Sequence, residues 1–361
     1  MTEVLLRELM TDDIAWLKQA GVQRTIPSGM VLVSAGTVEE SFCLLLDGWA
    51  TVMMPSSELD PLQRAFAAIE GETTDREIFT LECGDIFGSL PGLVAPLPQG
   101  AVVAKEDCTV LAVPLAGLVA KIMMDIGFAG RFYKFLAILL AGRLQVMLRR
   151  LERRSLAQGK LLRDVWLVFG EFHDSDVEWL MAMGEVRHVA TGEVLVRAGN
   201  AIDSLYLLLD GRLLMLWEEA RMNPLLQAFA AIEGRESIGQ AVAELGQGAL
   251  FGESPFLDGQ LGRVTIQTLT DAVVLAVPRR VLLAKLQQDL GFAGRFYQVL
   301  SAVMGDRLQG VYGRLGYGRW VYTGGEEDEL EMETIDRMGL AGRRFELLLG
   351  QMMKKLHCGA I

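Results

Sequence analysis

The sequence contains two copies of one pattern. Four segments of the first copy return in the second, two of them 163 residues later and two of them 164 residues later: LLLDG (44–48 and 207–211), AFAAIEG (65–71 and 228–234), LAVP (111–114 and 275–278) and GFAGRFY (127–133 and 291–297). A constant offset of this kind identifies a tandem duplication. Two domains are also what a chain of 361 residues usually forms. The sequence therefore predicts two equivalent domains, repeat 1 and repeat 2.

The first part of each repeat has the pattern of a β domain. Short apolar runs such as VLVSAG and CLLLDGWATV alternate with glycine-containing turns, and VLVRAG and YLLLDGRLLML occupy the same places in repeat 2. Many short strands separated by glycine are typical of a closed or rolled β-barrel. The Asp-Gly dipeptides at 47–48 and 210–211 match the sequence that favours a two-residue hairpin turn. A short helix carrying Trp16 or Trp179 is expected in front of each barrel.

The pattern changes to a helical period after each LAVP. Apolar residues recur every three or four positions from Phe128 to Leu151, which predicts a long amphipathic helix. A shorter helix at about 115–124 precedes it, and the chain is expected to turn through Gly127 between the two. The fold class is therefore mainly β with helices (α+β), with a long helix closing each repeat.

The GFAGRFY heptapeptide lies at this helix junction. We interpret it as a packing hinge in which Phe128 and Phe132 face the barrel, while Arg131 and Tyr133 lie off that face. The alternative is a binding box built around Arg131 or its equivalent Arg295.

The repeat predicts the domain boundaries. We expect domain 1 at residues 1–155 and domain 2 at 156–318, followed by a tail at 319–361. The tail begins with a Gly-rich and then acidic linker and ends with a helix in LAGRRFELLLGQMMKKL, a weak echo of the heptapeptide. This helix is expected to dock on a barrel or on a neighbouring subunit.

Composition and motifs exclude several classes of protein. The net charge of −12 argues against a nucleic-acid partner. Four cysteines without CxxC spacing and three histidines predict no metal site and favour reduced thiols in a cytoplasmic protein. The acidic start MTEVLLRELMTDD does not match a signal peptide, and the longest helical apolar run, FLAILLAG, is too short for a transmembrane segment. No P-loop, HExxH or catalytic triad is present, so we expect no enzymatic activity.

The barrel pattern, the flanking helices and an FGxxP motif near the last strands of each barrel resemble the cyclic-nucleotide-binding domain of the catabolite-activator and kinase regulatory-subunit superfamily. More narrowly, AFAAIEG, FGESPFLDG, GFAGRFY and LAGRRF resemble bacterial, notably cyanobacterial, proteins named only for that domain. The resemblance covers residues 10–153 and 173–316. It implies two tandem β-roll domains of the double-stranded β-helix type, each with flanking helices and a long C-terminal helix, plus the small helical tail.

In that superfamily a phosphate cassette binds the cyclic nucleotide through FGE and a later arginine. The resemblance implies that Glu253 accepts from the ribose hydroxyl, that Gly252 and Ser254 offer backbone contacts, and that Arg263 or Thr265 lies near the phosphate. Repeat 2 departs from the pattern, because the arginine position falls on Gly262 and Arg263 comes one residue late, on the opposite face of the strand unless a bulge intervenes. The candidate ligand residues of repeat 2 are Phe251, Gly252, Glu253, Ser254, Arg263 and Thr265.

Repeat 1 departs further from the cassette. Its equivalent residues are Phe87, Gly88, Ser89 and Pro98, so that serine replaces the glutamate and proline replaces the arginine. Hydrogen bonds to a charged ligand contribute about 1.5–3 kcal/mol each, and losing both partners costs several powers of ten in affinity. We therefore expect repeat 1 not to bind cyclic nucleotides.

Two functions fit the sequence. In the first, the chain is a non-enzymatic docking subunit without a cofactor, which self-associates or joins a larger assembly through its long amphipathic helices and its C-terminal helix. The apolar content of 51%, the 17 methionines and the degenerate cassettes favour this function. In the alternative, repeat 2 is a nucleotide sensor that binds a cyclic nucleotide and regulates a separate protein. We favour the docking subunit, because no output domain follows the second long helix.

Overall fold

The computed structural model describes residues 2–34, 40–55, 75–92, 100–149, 161–217, 240–257, 262, 264–314 and 332–358. The chain divides into two compact units. One unit comprises Met1–Met147 with Met304–Glu326, and the other comprises Leu148–Val303 with Glu327–Ile361. The boundaries predicted near residues 155 and 318 lie outside the described residues and stay predictions.

The first unit contains a β-roll with two helices before it and two after it. Its helices are α1 (Thr2–Glu8), α2 (Thr11–Ala20), α3 (Leu115–Met124) and α4 (Ile126–Leu148). Its strands are β1 (Val22–Ile26), β2 (Val31–Val33), β3 (Ser41–Asp47), β4 (Ala50–Pro55), β5 (Asp75–Leu81), β6 (Ile86–Gly88), β7 (Ala101–Ala104) and β8 (Cys108–Pro114).

Repeat 2 has the same order of elements, with one short helix, Ser254–Leu257, that has no counterpart in the described part of repeat 1. Its helices are α5 (Leu161–Phe169), α6 (Asp174–Met183), α7 (Ser254–Leu257), α8 (Arg279–Gln288) and α9 (Leu290–Arg314), and α10 (Met332–Cys358) follows. Its strands are β9 (Glu185–Val189), β10 (Val194–Val196), β11 (Ser204–Asp210), β12 (Leu213–Trp217), β13 (Gln240–Leu245), β14 (Leu250–Phe251), β15 (Val264–Thr268) and β16 (Ala272–Pro278).

The duplication extends to the sheet topology. Each roll consists of two four-stranded antiparallel sheets, with the orders β1-β8-β3-β6 and β2-β7-β4-β5 in repeat 1. Repeat 2 has the orders β9-β16-β11-β14 and β10-β15-β12-β13, which are the same orders with every strand number raised by eight. The prediction of two tandem β-roll domains with flanking helices is confirmed.

The apolar strands β3 and β11 are buried on both of their faces. In repeat 1, Cys43 and Leu45 belong to the core inside the roll. Phe42 points to the other face, where its ring lies 5.4 Å from the ring of Phe132 on α4. A strand that is covered on both sides has a continuous run of apolar residues instead of alternating apolar and polar residues, which explains the repeated LLL.

The hairpin predicted at each Asp-Gly dipeptide is wrong. Gly48 and Gly211 have the expected positive φ, at 82° and 95°. However, β3 and β4 lie in different sheets, as do β11 and β12, so the flanking strands do not pair with each other. The dipeptide instead turns the chain from one sheet of the roll to the other.

The helix junction also differs in detail from the prediction. The interruption between α3 and α4 falls at Asp125, whose carboxylate accepts a hydrogen bond from the Phe128 N–H at 2.9 Å. Gly127 lies within the first turn of α4. The prediction that Tyr133 lies off the packed face is wrong, since its side chain is buried.

Helix α10 is longer than expected, because it begins at Met332 rather than near Leu340. It packs against α5, α6 and β9 of its own unit. Most of the predicted linker lies outside the described residues. No helix in the described part of the chain combines the length and the apolar character required to cross a bilayer.

Candidate functional site

The candidate site of repeat 2 begins where β14 ends. Gly252 has a φ of +83°, and a Cβ atom at this position would lie 2.8 Å from the Ser204 carbonyl oxygen and 3.1 Å from the Tyr206 ring. A residue with a side chain is therefore excluded both by the backbone conformation and by the neighbouring strand. Glu253 and Ser254 follow this turn, and both are half-buried.

The short helix α7 follows this turn and packs against the long helix α9 of the repeat. The Phe256 N–H donates to the Glu253 carbonyl at 2.9 Å, and the Phe256 side chain is buried. Its ring stands edge-on to that of Phe296 on α9, at a centroid distance of 5.8 Å. Aromatic pairs of this geometry contribute about 0.5–1.5 kcal/mol beyond their buried area. The loop that carries Glu253 and Ser254 is thus packed directly on α9.

The predicted arginine position lies beside the predicted backbone contacts. Gly262 is buried, and a Cβ atom on it would lie 3.5 Å from Ser254 Oγ and 3.3 Å from Ile202 Cδ1. Its carbonyl accepts a hydrogen bond from the Gly199 N–H at 2.8 Å. The structure therefore places Ser254 beside Gly262, and Gly262 itself carries no side chain at the predicted arginine position.

Two further residues were predicted to belong to this site. Thr265 is buried, and its hydroxyl oxygen accepts the Ala198 N–H at 3.0 Å. Arg263 lies outside the described residues, so its predicted role near a phosphate stays a prediction.

A cleft adjoins the cassette in repeat 2, and the sequence reasoning missed it. Its volume is about 280 Å³, and it is lined by Val194, Leu195, Val196, Arg197, Asn200, Ala201, Ile202, Asp203 and Tyr206. Ile202 and Tyr206 also contact the Gly252 turn, so the cleft and the cassette share a wall. The signal in the sequence was the polar segment RAGNAID between two apolar strands.

Tyr206 lines the cleft and also lies beside the Gly252 turn. Its ring stacks on that of Phe251 at a centroid distance of 5.1 Å and an interplanar angle of 10°. Its hydroxyl donates to Asp203 Oδ1 at 3.2 Å. Burial raises the pKa of the Tyr206 hydroxyl, and the nearby Asp203 carboxylate raises it further. Tyr206 therefore stays a neutral hydrogen-bond donor near neutral pH.

The corresponding region of repeat 1 keeps the turn but not the glutamate. Gly88 has a φ of +81°, and the Ser89 N–H donates to the Ser41 carbonyl at 3.0 Å. Gly92 stands at the position of Phe256, and the Tyr133 ring occupies the space beside it, 2.7 Å from where its Cβ would be. Pro98 lies outside the described residues.

The two arginines of the heptapeptide are engaged in ion pairs. Arg131 donates to Asp13 from Nε at 2.6 Å and from Nη2 at 2.8 Å. Arg295 donates to Asp176 at the same two distances. Both carboxylates are buried. These contacts favour the interpretation of the heptapeptide as a hinge, because the guanidinium groups are used to join the long helix to the helix in front of the roll.

The described residues contain no group of three or more His, Cys, Asp or Glu side chains placed to hold a metal ion. The polar groups of the site are backbone amides, the Ser254 hydroxyl, the Glu253 carboxylate and the Tyr206 hydroxyl.

Comparison with known families identifies this region. Residues 186–289, which contain the turn, the short helix and the cleft, match the family described as cyclic nucleotide-binding domain. Uncharacterized NTE family proteins of Mycobacterium bovis and Mycobacterium tuberculosis are 29% identical over 123 residues, which is 34% of this chain and 20% of each of those proteins. The match spans about one fifth of the length of these relatives.

Solved structures are also similar to parts of this chain. The regulatory domain of Toxoplasma gondii PKA with cAMP is 15% identical with a TM-score of 0.28, covering 80% of this chain and 89% of that one. A cyclic nucleotide-binding domain from Methylobacillus flagellatus is 20% identical with a TM-score of 0.34, covering 43% and 79%. The Thermus thermophilus catabolite activator protein is 18% identical with a TM-score of 0.32, covering 54% and 76%. The family match is thus confined to residues 186–289 in repeat 2, and repeat 1 has the same strand order as the roll that contains them.

Proposed function

We propose that this chain is a non-enzymatic docking subunit of a larger protein assembly, built from two degenerate cyclic-nucleotide-binding-like domains. Its partners are proteins rather than nucleic acid, because the net charge of −12 opposes binding to phosphate backbones. The proposal includes a cytoplasmic location, no cofactor, and domains at 1–155, 156–318 and 319–361.

The observation that carries the proposal is the buried glycine at the arginine position of repeat 2. An arginine that pairs with a phosphate supplies a charge-assisted hydrogen bond, which is about twice as strong as a neutral one. Gly262 provides no such donor, and the atoms nearest to the position of a Cβ on it are Ile202 Cδ1 at 3.3 Å and Ser254 Oγ at 3.5 Å. Packing is preserved here while the group that recognises a phosphate is replaced.

The hinge ion pairs support the same function. A sensor of this class would signal by moving the long helix, whereas Arg131 and Arg295 fasten α4 and α9 to α2 and α6 through bidentate contacts with buried carboxylates. Repeat 1 adds further support, because Ser89 replaces the glutamate of the cassette. Rigid attachment of the long helices suits a docking module.

The test is isothermal titration of the full chain with cyclic AMP, cyclic GMP and the cyclic dinucleotides, each up to millimolar concentration. We expect no saturable heat. Saturable micromolar binding that Glu253→Ala abolishes and Ser89→Ala leaves unchanged would overturn the proposal. A positive test is native purification from the source cells, where we expect a complex much larger than the 39.7 kDa chain.

A second candidate function is that of a cyclic-nucleotide sensor in repeat 2. The contact between Phe256 and Phe296 favours it, because it connects the cassette directly to the long helix α9. In this function Phe251, Gly252, Glu253, Ser254, Arg263 and Thr265 hold the ligand, and a separate protein receives the signal. The same titration decides between the two functions.

A further inference from the structure

Helix α10 is held on the second unit by apolar and polar contacts. Its buried side chains recur at helical spacing, and they are Ala341, Phe345, Leu348 and Met352. The Phe345 ring lies 5.3 Å from that of Phe169 at the end of α5. Arg344 donates to the Phe169 carbonyl at 3.1 Å, and Lys355 donates to the Met181 carbonyl at 2.9 Å. These contacts attach α10 to the two helices that precede the roll of repeat 2.

The turn between α5 and α6 contacts both α10 and the long helix α9. Glu171 in this turn accepts a hydrogen bond from Gln298 Nε2 on α9 at 2.8 Å through Oε2. Its Oε1 pairs with the Arg337 guanidinium on α10. Burial raises the pKa of Glu171, and Arg337 is the charged group that opposes this rise. The carboxylate that holds α9 therefore obtains its cation from α10.

Repeat 1 makes the same contact without a third helix. Three positions correspond at the repeat offsets: Glu8 to Glu171, Arg7 to Gly170 and Lys134 to Gln298. The Glu8 carboxylate pairs with Arg7 Nε at 2.7 Å and with Lys134 Nζ at 2.8 Å. Neither cation is present at the corresponding position of repeat 2, where α10 supplies the positive charge instead. The attachment of α9 thus depends on α10, whereas the attachment of α4 is complete within its own repeat.

The sequence of α10 favours a helix that forms only when it is docked. Gly339, Gly342 and Gly350 lie inside it, and a Cβ atom at each would have no neighbour within 4 Å outside the backbone of the helix itself. Packing therefore does not require glycine at these positions, while glycine weakens a helix relative to alanine. A helix of low intrinsic stability is maintained by the packing of its apolar face. Release of α10 is thus expected to unfold it.

We propose that α10 is a releasable strap that fixes the long helix α9 of repeat 2 through Glu171, and that the first turns of α9 loosen when α10 leaves. The long helix α4 of repeat 1 does not respond to α10. This control of α9 goes beyond the docking function, because it gives the two repeats different mobility, and it requires no nucleotide.

Two effects loosen α9 when α10 leaves. Glu171 loses its cation, so the strongest interaction that orders its side chain is gone. The carboxylate is also exposed to water, which competes with Gln298 for its oxygen atoms. In repeat 1 the Lys134 ammonium is itself on the long helix, so that the ion pair with Glu8 persists whatever happens to the tail.

The test measures amide hydrogen exchange of the full chain by mass spectrometry, and it compares residues 292–303 of α9 with residues 128–139 of α4. Arg337→Gln removes the cation, and we expect the exchange of the α9 segment to rise about tenfold, since a hydrogen bond to a charged group is lost. Arg343→Gln is the matched control, because Arg343 is exposed on the same helix. The control should change neither segment, and α4 should be unchanged in every variant.

A rescue distinguishes a strap from a general loss of stability. Gln298→Lys gives repeat 2 the cation that Lys134 supplies in repeat 1. Combined with Arg337→Gln, it should return the exchange of the α9 segment to within about threefold of wild type. Phe345→Ala releases α10 without altering Glu171, and it should raise exchange in both α9 and α10. Phe345→Ala combined with Gln298→Lys should protect α9 while α10 still exchanges rapidly.

Three results would overturn the strap. One is wild-type exchange in α9 when α10 exchanges rapidly in Phe345→Ala. Another is an equal rise in α4 and α9, which would show a general loss of stability. The third is a failure of Gln298→Lys to restore α9, which would mean that the coupling does not pass through Glu171. These results concern the mobility of α9 alone, so the nucleotide titration and the native purification remain separate tests of the docking function.

Discussion

Arg131 and Asp13 form a bidentate ion pair between residues 118 positions apart in the sequence, and Arg295 and Asp176 repeat it. In both pairs the carboxylate also accepts the N–H at the N-cap of its own helix, from Met10 or His173. One acidic residue therefore begins a helix and anchors the hinge. The repeated heptapeptide is explained by this double use, which needs an arginine at the same point of each long helix.

We expect Asp13→Asn to lower the free energy of unfolding by about 2–3 kcal/mol, because it leaves the Arg131 guanidinium without its charged partner. The control is Asp12→Asn, since Asp12 is exposed on the same turn and should change stability by less than about 0.5 kcal/mol. Urea denaturation followed by circular dichroism measures both. Equal effects of the two substitutions would show that the pair contributes nothing beyond an exposed acid.

The glycine turn of the cassette is tested by a matched set of alanine substitutions. A Cβ at Gly88 would lie 2.5 Å from the Ser41 carbonyl oxygen, whereas Gly29 has the same positive φ with no atom within 4 Å. We expect Gly29→Ala to cost about 1–2 kcal/mol from backbone strain alone. Gly88→Ala should cost clearly more, because the β3 backbone must also move. Thermal and urea unfolding of the two variants give the comparison, and similar losses would contradict it.

Much of the fold could be predicted from the sequence because the information is local or repeated. The offset between GFAGRFY segments identified two equivalent domains, and the change from β runs to a helical period after LAVP located the long helices. The first feature is a repeat that can be read directly from the sequence, and the second depends on residues that are close in sequence. The β-roll with its flanking helices followed from them.

The remaining features depend on contacts between distant segments. Which strands pair is decided where the chain crosses between sheets, so the Asp-Gly turn could not be recognised as a crossing from the dipeptide alone. The cleft beside Tyr206 is likewise formed by residues from β10, the following loop and β11. The ion pair of Arg131 needed its partner on a helix at the other end of the repeat. None of these relations leaves a periodic signal.

Helix α10 is expected to depend on one aromatic contact. Phe345 is buried against Phe169, while Leu347 on the same helix is 49% exposed. We expect Phe345→Ala to cost about 3–5 kcal/mol of local stability. The result should be faster amide hydrogen exchange throughout 337–355, whereas Leu347→Ala should exchange like wild type. Unchanged protection in Phe345→Ala would mean that the polar contacts of Arg344 and Lys355 hold the helix without the aromatic ring.

The pH dependence of stability tests a buried carboxyl in repeat 1. Burial raises the pKa of Asp85 above its ordinary value of 3.8, although Arg143 and a hydrogen bond from the Glu82 N–H oppose this. Because the folded pKa lies above the unfolded one, ionised Asp85 lowers stability at neutral pH, and the folded state takes up the proton first as the pH falls. The stability of wild type relative to Asp85→Asn should therefore rise on acidification from pH 7.5 towards pH 4.

The contribution of Asp13 to stability should change with pH in the opposite direction to that of Asp85. Burial would raise the pKa of Asp13, but the hydrogen bonds from Arg131 and the Met10 N–H outweigh it and lower the pKa below 3.8. Its contribution is present above the unfolded pKa and is lost as the pH falls through the folded one. The advantage of wild type over Asp13→Asn should thus stay constant between pH 7.5 and pH 5 and shrink below about pH 4. Urea titrations at four pH values distinguish the two trends. If the difference in unfolding free energy between wild type and Asp85→Asn does not change with pH, burial does not shift the pKa of Asp85.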